Sequence, residues 1–195
     1  MCLTKEVIEK NYTNYKGVLD SVLGEEVTNE IINSVGGEDV VKNASFSNLR
    51  ESGSAYEGSL VRNSLRLAKI AVGINKQFPE NKQLPNETIY KVSLLSHVSK
   101  VLLYEKNNNA WEVENRGMIY KYVNLPGAIR TGERSILIAT NAGAKFTAEE
   151  FEAMRSYDKA DDNDAFAKYF TSQLALIMRQ ANELLAFMDR QNVQK

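Results

Sequence analysis

The only histidine in the sequence, His97, lies in Leu94-Leu95-Ser96-His97-Val98-Ser99-Lys100, flanked on both sides by apolar residues. An imidazole one helical turn from an ammonium could bind a metal, move a proton or meet a phosphate. The plainer reading is a hydrogen-bonded core histidine and a lysine that carries its amine out to water. Two other groupings could do chemistry. Asp158, Asp161, Asp162 and Asp164 suggest calcium, but the central Gly and terminal Glu of an EF-hand loop are missing, so a solvated acidic loop is the simpler reading. Arg116, Lys121, Arg130 and Arg134 fall near Trp111, Tyr120 and Tyr122, a combination that could bind phosphate or nucleic acid and is also ordinary hairpin packing.

Composition narrows these choices. The 195 residues carry 24 basic and 25 acidic side chains for a net charge of −1. No whole-chain field draws in nucleic acid or an anionic membrane, so nucleic-acid binding would need a local patch and is not expected. With Cys2 as the single cysteine there is neither a disulfide framework nor a cysteine-rich zinc site. The opening MCLTKEVIEK lacks the apolar run of a signal peptide. The triplets at Asn11, Asn43 and Asn86 therefore read as chance rather than glycosylation sites. No window approaches the roughly 18 apolar residues of a membrane span. The expectation is a cytoplasmic, soluble protein that needs no cofactor.

The positioning elements read as helices. Val7, Ile8, Val18, Leu19, Val22, Leu23, Val27, Ile31, Ile32 and Val35 recur at helical spacing, with breaks at Gly17, Gly24 and Gly36-Gly37. Asn43 to Ser54 is a polar loop. Leu60 to Phe78 has apolar residues on more than one face, which predicts a helix buried on several sides and ended by Pro79. A helix follows from about Glu87 to Leu103, carrying Ser96, His97 and Lys100 next to its apolar stripe. Trp111 to Val113 and Met118 to Val123 alternate around Asn115-Arg116-Gly117 and predict a β-hairpin. Glu133 to Thr140 is a short helix, and Thr147 with Glu150 forms a capping-box signature for the next. Phe166, Phe170, Leu174, Ile177, Ala181, Leu184 and Met188 outline a long closing helix. No linker divides the chain, so one domain over 1–195 is expected, with helices and a loop from 1–50 packed on the bundle.

In their order and spacing these segments resemble the HD-domain phosphohydrolases, in particular small bacterial and phage members. The resemblance runs from about Gly17 onward. It rests on Tyr56-Glu57-Gly58-Ser59-Leu60-Val61-Arg62-Asn63-Ser64-Leu65, on Leu94 to Lys100 and on Trp111-Glu112. It continues through Thr131-Gly132-Glu133-Arg134-Ser135-Ile136, Thr147 to Tyr157, and Ala175 to Leu185. It implies an all-α fold, a compact HD-type helical bundle with a small β-hairpin. It also aligns substitutions with the family's metal ligands. Asn63 stands at the first metal histidine, Ser96 and His97 at the paired His-Asp, Thr131 and Tyr157 at later histidines, and Asn182 at the final aspartate.

A transition metal needs several imidazole or carboxylate donors to bind and to activate water. The resemblance therefore implies an inactive relative with a vestigial pocket of Asn63, Ser96, His97, Lys100, Thr131, Tyr157 and Asn182, and no metal. Asn63, Ser96, His97 and Asn182 are expected to form a hydrogen-bonded network, since an unpaired buried polar group costs about 1–3 kcal/mol. Lys100 and Arg130 remain candidates for phosphate contact. The implied role is structural or binding, with a protein partner, in a phage as a virion or assembly component. The alternative is a divergent phosphohydrolase for nucleotides or other phosphate esters, with a relocated metal site built from His97, Glu57 and Glu133.

Overall fold

The structure, a computed structural model, describes residues 3–127, 129–156, 171–191 and 193. Its order is α1 (Lys5–Leu23), α2 (Glu25–Ser34), α3 (Glu38–Asn43), α4 (Ser59–Asn75) and α5 (Asn86–Leu95). Then come β1 (Tyr104–Lys106), α6 (Ala110–Asn115), β2 (Tyr120–Tyr122), α7 (Thr131–Asn141), α8 (Ala148–Ser156) and α9 (Gln173–Gln191). The fold is all-α with one small antiparallel hairpin. No described helix is long and apolar enough to cross a membrane.

Helix α4 is the axis of the bundle. It packs on α1, α3, α5 and α9, and Leu60, Val61, Leu67, Ala68 and Ala71 are all buried, in keeping with apolar residues on several faces. Those side chains join one apolar cluster with Tyr15 and Leu19 of α1, Ile31 of α2, Ile89 and Leu95 of α5, Ile136 of α7, Met154 of α8 and Leu174 to Leu185 of α9. Local chemistry sets the ends. Thr4 caps α1 by accepting the Val7 N–H at 3.4 Å. Thr147 and Glu150 form the expected reciprocal box, at 3.2 Å and 2.8 Å.

Two expectations are corrected. The helix expected to reach Leu103 stops at Leu95, and Val98–Leu102 forms a tighter 3-10 turn. His97, at φ −113° and ψ 2°, sits in the bridge region and marks the break. The hairpin strand expected at Trp111 to Val113 is part of α6, where Asn109 Oδ1 caps the Glu112 N–H at 3.3 Å. The strands are instead β1 and β2, paired Tyr104 with Tyr122, Glu105 with Lys121 and Lys106 with Tyr120. Three residues of alternation were too short to separate a strand from one turn of helix.

Candidate functional site

Asn63 is wholly buried near the start of α4, and its amide is fully committed. Nδ2 donates to Ser54 Oγ at 2.8 Å and to Asp189 Oδ2 at 2.9 Å, while Oδ1 accepts from Arg66 Nη1 at 3.0 Å. Arg66, one turn along α4, forms an ion pair with Asp189 Oδ1, and the Ser54 hydroxyl donates to Asp189 Oδ2. Asp189 is 4% exposed, so a nearly water-free carboxylate in the last turn of α9 has its charge met by one half-buried guanidinium. That placement opposes the helix dipole, whose negative end repels a carboxylate. Tertiary pairing overrides the local preference. The loop also lies close: Gly53 has φ +72°, and a Cβ there would come within 2.1 Å of the Asp189 carbonyl oxygen.

The expected network is therefore redistributed. Both Asn63 donors and its carbonyl are used within the Ser54, Arg66 and Asp189 cluster. The Ser96 hydroxyl turns back on its own helix, donating to the Val92 carbonyl at 2.6 Å. Asn182 is half-buried and donates to the Met178 carbonyl at 3.1 Å. The α9 residue that meets Asn63 is Asp189, seven positions beyond Asn182 and so on nearly the same face. On α9 Leu174, Ile177 and Ala181 are buried as expected, but in its last turns Leu185 and Asp189 are the buried residues and Leu184 and Met188 are each 47% exposed; Phe166 and Phe170 lie outside the described residues.

His97 is 1% exposed, with its ring 4.6 Å from that of Phe46. Burial holds its pKa well below the ordinary 6.5, and the charge of Lys100 adds to the shift. Lys100 lies with Nζ 3.8 Å from the Phe46 ring centroid and donates to the Phe46 carbonyl at 3.2 Å. Its ammonium thus covers the aromatic ring beside His97.

Serines join the His97 segment to α7, a feature the sequence reading missed. The Ser135 hydroxyl lies 3.1 Å from the Ser96 carbonyl and 3.0 Å from Ser99 Oγ, and it accepts the Ser99 N–H at 3.1 Å. Ser99 in turn donates to the Thr131 carbonyl at 2.8 Å, so Thr131 enters through its backbone. The sequence carries no signal of this pairing, since Ser99 stands beside Lys100 and Ser135 beside Arg134.

Glu57 is exposed, and Glu133 accepts from Arg155 Nε at 3.3 Å and from the Arg130 N–H at 3.3 Å. Among the described residues no three His, Cys, Asp or Glu side chains converge to hold a metal ion, and this includes His97, Glu57 and Glu133. Arg130 is exposed at the N-cap of α7. Tyr157 and the Asp158 to Asp164 loop lie outside the described residues.

Comparison with known proteins leaves this geometry to be read on its own terms: no family model matches the chain, and no curated protein or solved structure does either.

Proposed function

We propose that the chain is a catalytically inactive helical protein of HD type with a structural or binding role. The observation that carries this reading is the closed cluster around Asn63. A guanidinium, and no ligand set open to a metal, faces the buried carboxylate of Asp189. An arginine fixed against a carboxylate occupies its lone pairs and supplies the positive charge that a bound cation would otherwise provide. Asn63 has no lone pair of imidazole strength to offer, and its amide is already bonded. Within the HD resemblance, the substituted ligand positions support the same reading. In the phage setting of that resemblance, the role is that of a virion or assembly component bound to other proteins.

Purified protein incubated with manganese or nickel and then desalted is expected to carry no stoichiometric metal by elemental analysis. It is also expected to show no turnover of nucleotides or phenyl phosphate esters. A stoichiometric ion together with turnover that disappears on replacing His97 would overturn the reading in favour of a divergent phosphohydrolase.

A further inference from the structure

We propose that the cavity between β2 and the start of α7 binds a small aromatic ring carrying a phosphate. The cavity is an open depression of about 300 Å³, and its wall includes Leu103, Tyr122, Leu125, Ile129, Arg130 and Arg134. It is separate from the Asn63 cluster, and the proposal does not depend on how that cluster is read.

The charged side of the cavity calls for an anion. Arg130, the N-cap, and Arg134, in the first turn of α7, both line this cavity. Neither guanidinium forms an ion pair with a carboxylate among the described residues. The acid nearest in sequence, Glu133, is taken by Arg155 and by the Arg130 backbone N–H. Two cations on one wall repel each other, and a phosphate that accepts from both relieves the repulsion through charge-assisted bonds. Arg134 is held in place beforehand, because Nη2 donates to the Pro126 carbonyl at 3.1 Å and to that of Gly127 at 3.4 Å. Both bonds use the same nitrogen, which leaves Nη1 and Nε for a ligand.

The other side calls for an apolar ring. Tyr122 is 61% exposed, yet its ring is fixed edge-on to that of Tyr104 at 5.9 Å. A fixed aromatic face open to solvent is a stacking platform, and Leu103, Leu125 and Ile129 supply an apolar floor. Inorganic phosphate would engage only the arginines, and a neutral ring would leave both charges unmatched. The volume sits at the low end of the roughly 300–1,000 Å³ usual for small-molecule sites, which suits one ring and one phosphate. An extended nucleic-acid strand fits less well, since the chain is near neutral and offers no long basic track.

Isothermal titration at low salt would compare phenyl phosphate, inorganic phosphate, phenol and a thymidine decamer. The proteins would be the wild type, Arg130→Gln and Tyr122→Leu. Arg130 is exposed, and its substitution keeps the backbone N–H that Glu133 accepts, so an unchanged melting curve is expected. Phenyl phosphate should bind more tightly than phosphate or phenol alone, and Arg130→Gln should weaken it about tenfold, the loss of one charge-assisted contact. Tyr122→Leu should weaken phenyl phosphate while leaving inorganic phosphate unchanged. Three results would each overturn the assignment: no binding of phenyl phosphate at millimolar concentration, equal affinity in wild type and Arg130→Gln, or a decamer that binds where phenyl phosphate does not. Metal content and turnover are unaffected by any of these outcomes.

Discussion

A side-chain amide has two protons to give, and a buried one must place both. Asn63 does so with Ser54 and Asp189, and the guanidinium of Arg66 closes the group. Removing Arg66 strands the Asp189 carboxylate in a nearly dry site. Breaking a buried pair costs about 3–5 kcal/mol, and the partial exposure of Arg66 brings the expectation for Arg66→Met to about 2–3 kcal/mol. The double variant Arg66→Met with Asp189→Asn should recover most of that loss, because no charge is left buried. A denaturant double-mutant cycle measures this. A loss in the double variant as large as the sum of the singles would show that the two residues do not act as a pair.

His97 gives a second residue-scale expectation, in pH. Its folded pKa lies below the unfolded 6.5. Above pH 6.5 both states hold the neutral ring, and the group contributes no slope. Below it the unfolded chain takes up a proton that the buried ring does not, and stability falls by about 1.4 kcal/mol per pH unit until the folded pKa is reached. Between pH 6.5 and 5.5, His97→Gln should therefore lose less stability than the wild type. Chemical denaturation at the two pH values compares them, and parallel losses would place the imidazole in contact with water.

At the scale of elements, local propensity and tertiary fit part company at Gly132. Replacing a helical glycine by alanine ordinarily gains up to about 1 kcal/mol. Here a Cβ would meet the Met154 carbonyl oxygen at 2.0 Å, so α7 and α8 touch through backbone. Gly132→Ala is expected to destabilise by about 2 kcal/mol and to lower the melting temperature; a rise would mean that the two helices can separate freely. The same division explains what the sequence disclosed. Periodicity located α4, α7 and the start of α8, because long stripes and a Thr147–Glu150 box act locally, whereas α1 runs unbroken from Lys5 to Leu23 through Gly17, where the sequence predicts a break. It could not locate the end of α5, where Ser99 and Ser135 pull the chain into a 3-10 turn by contacts 36 positions apart. Nor could it show Asp189 as the partner of Asn63, a bond across 126 positions that runs against the helix dipole.

Across the whole molecule, one apolar cluster takes side chains from both ends of the chain, from Tyr12 in α1 to Leu185 in α9. Long-range polar contacts cross it as well. The Tyr15 hydroxyl donates to the Leu94 carbonyl at 3.1 Å, and that of Ser93 to Met178 Sδ at 3.3 Å. A core shared in this way leaves no helix of the cluster able to unfold while its neighbours keep their packing. Met178 is a direct probe, since it is fully buried and lies on the face of α9 that meets the other helices. Met178→Ala removes its thioether from the cluster and leaves the Ser93 hydroxyl without that acceptor, at an expected cost of about 2–5 kcal/mol. The loss should fall on the whole fold. Far-ultraviolet ellipticity, which reports helix, and Trp111 fluorescence, which reports the hairpin side, should shift together to one lower midpoint with an unchanged denaturant slope. Two separated midpoints would show that α9 and the hairpin side belong to different cooperative units, and a core continuous from Tyr12 to Leu185 would not then govern unfolding.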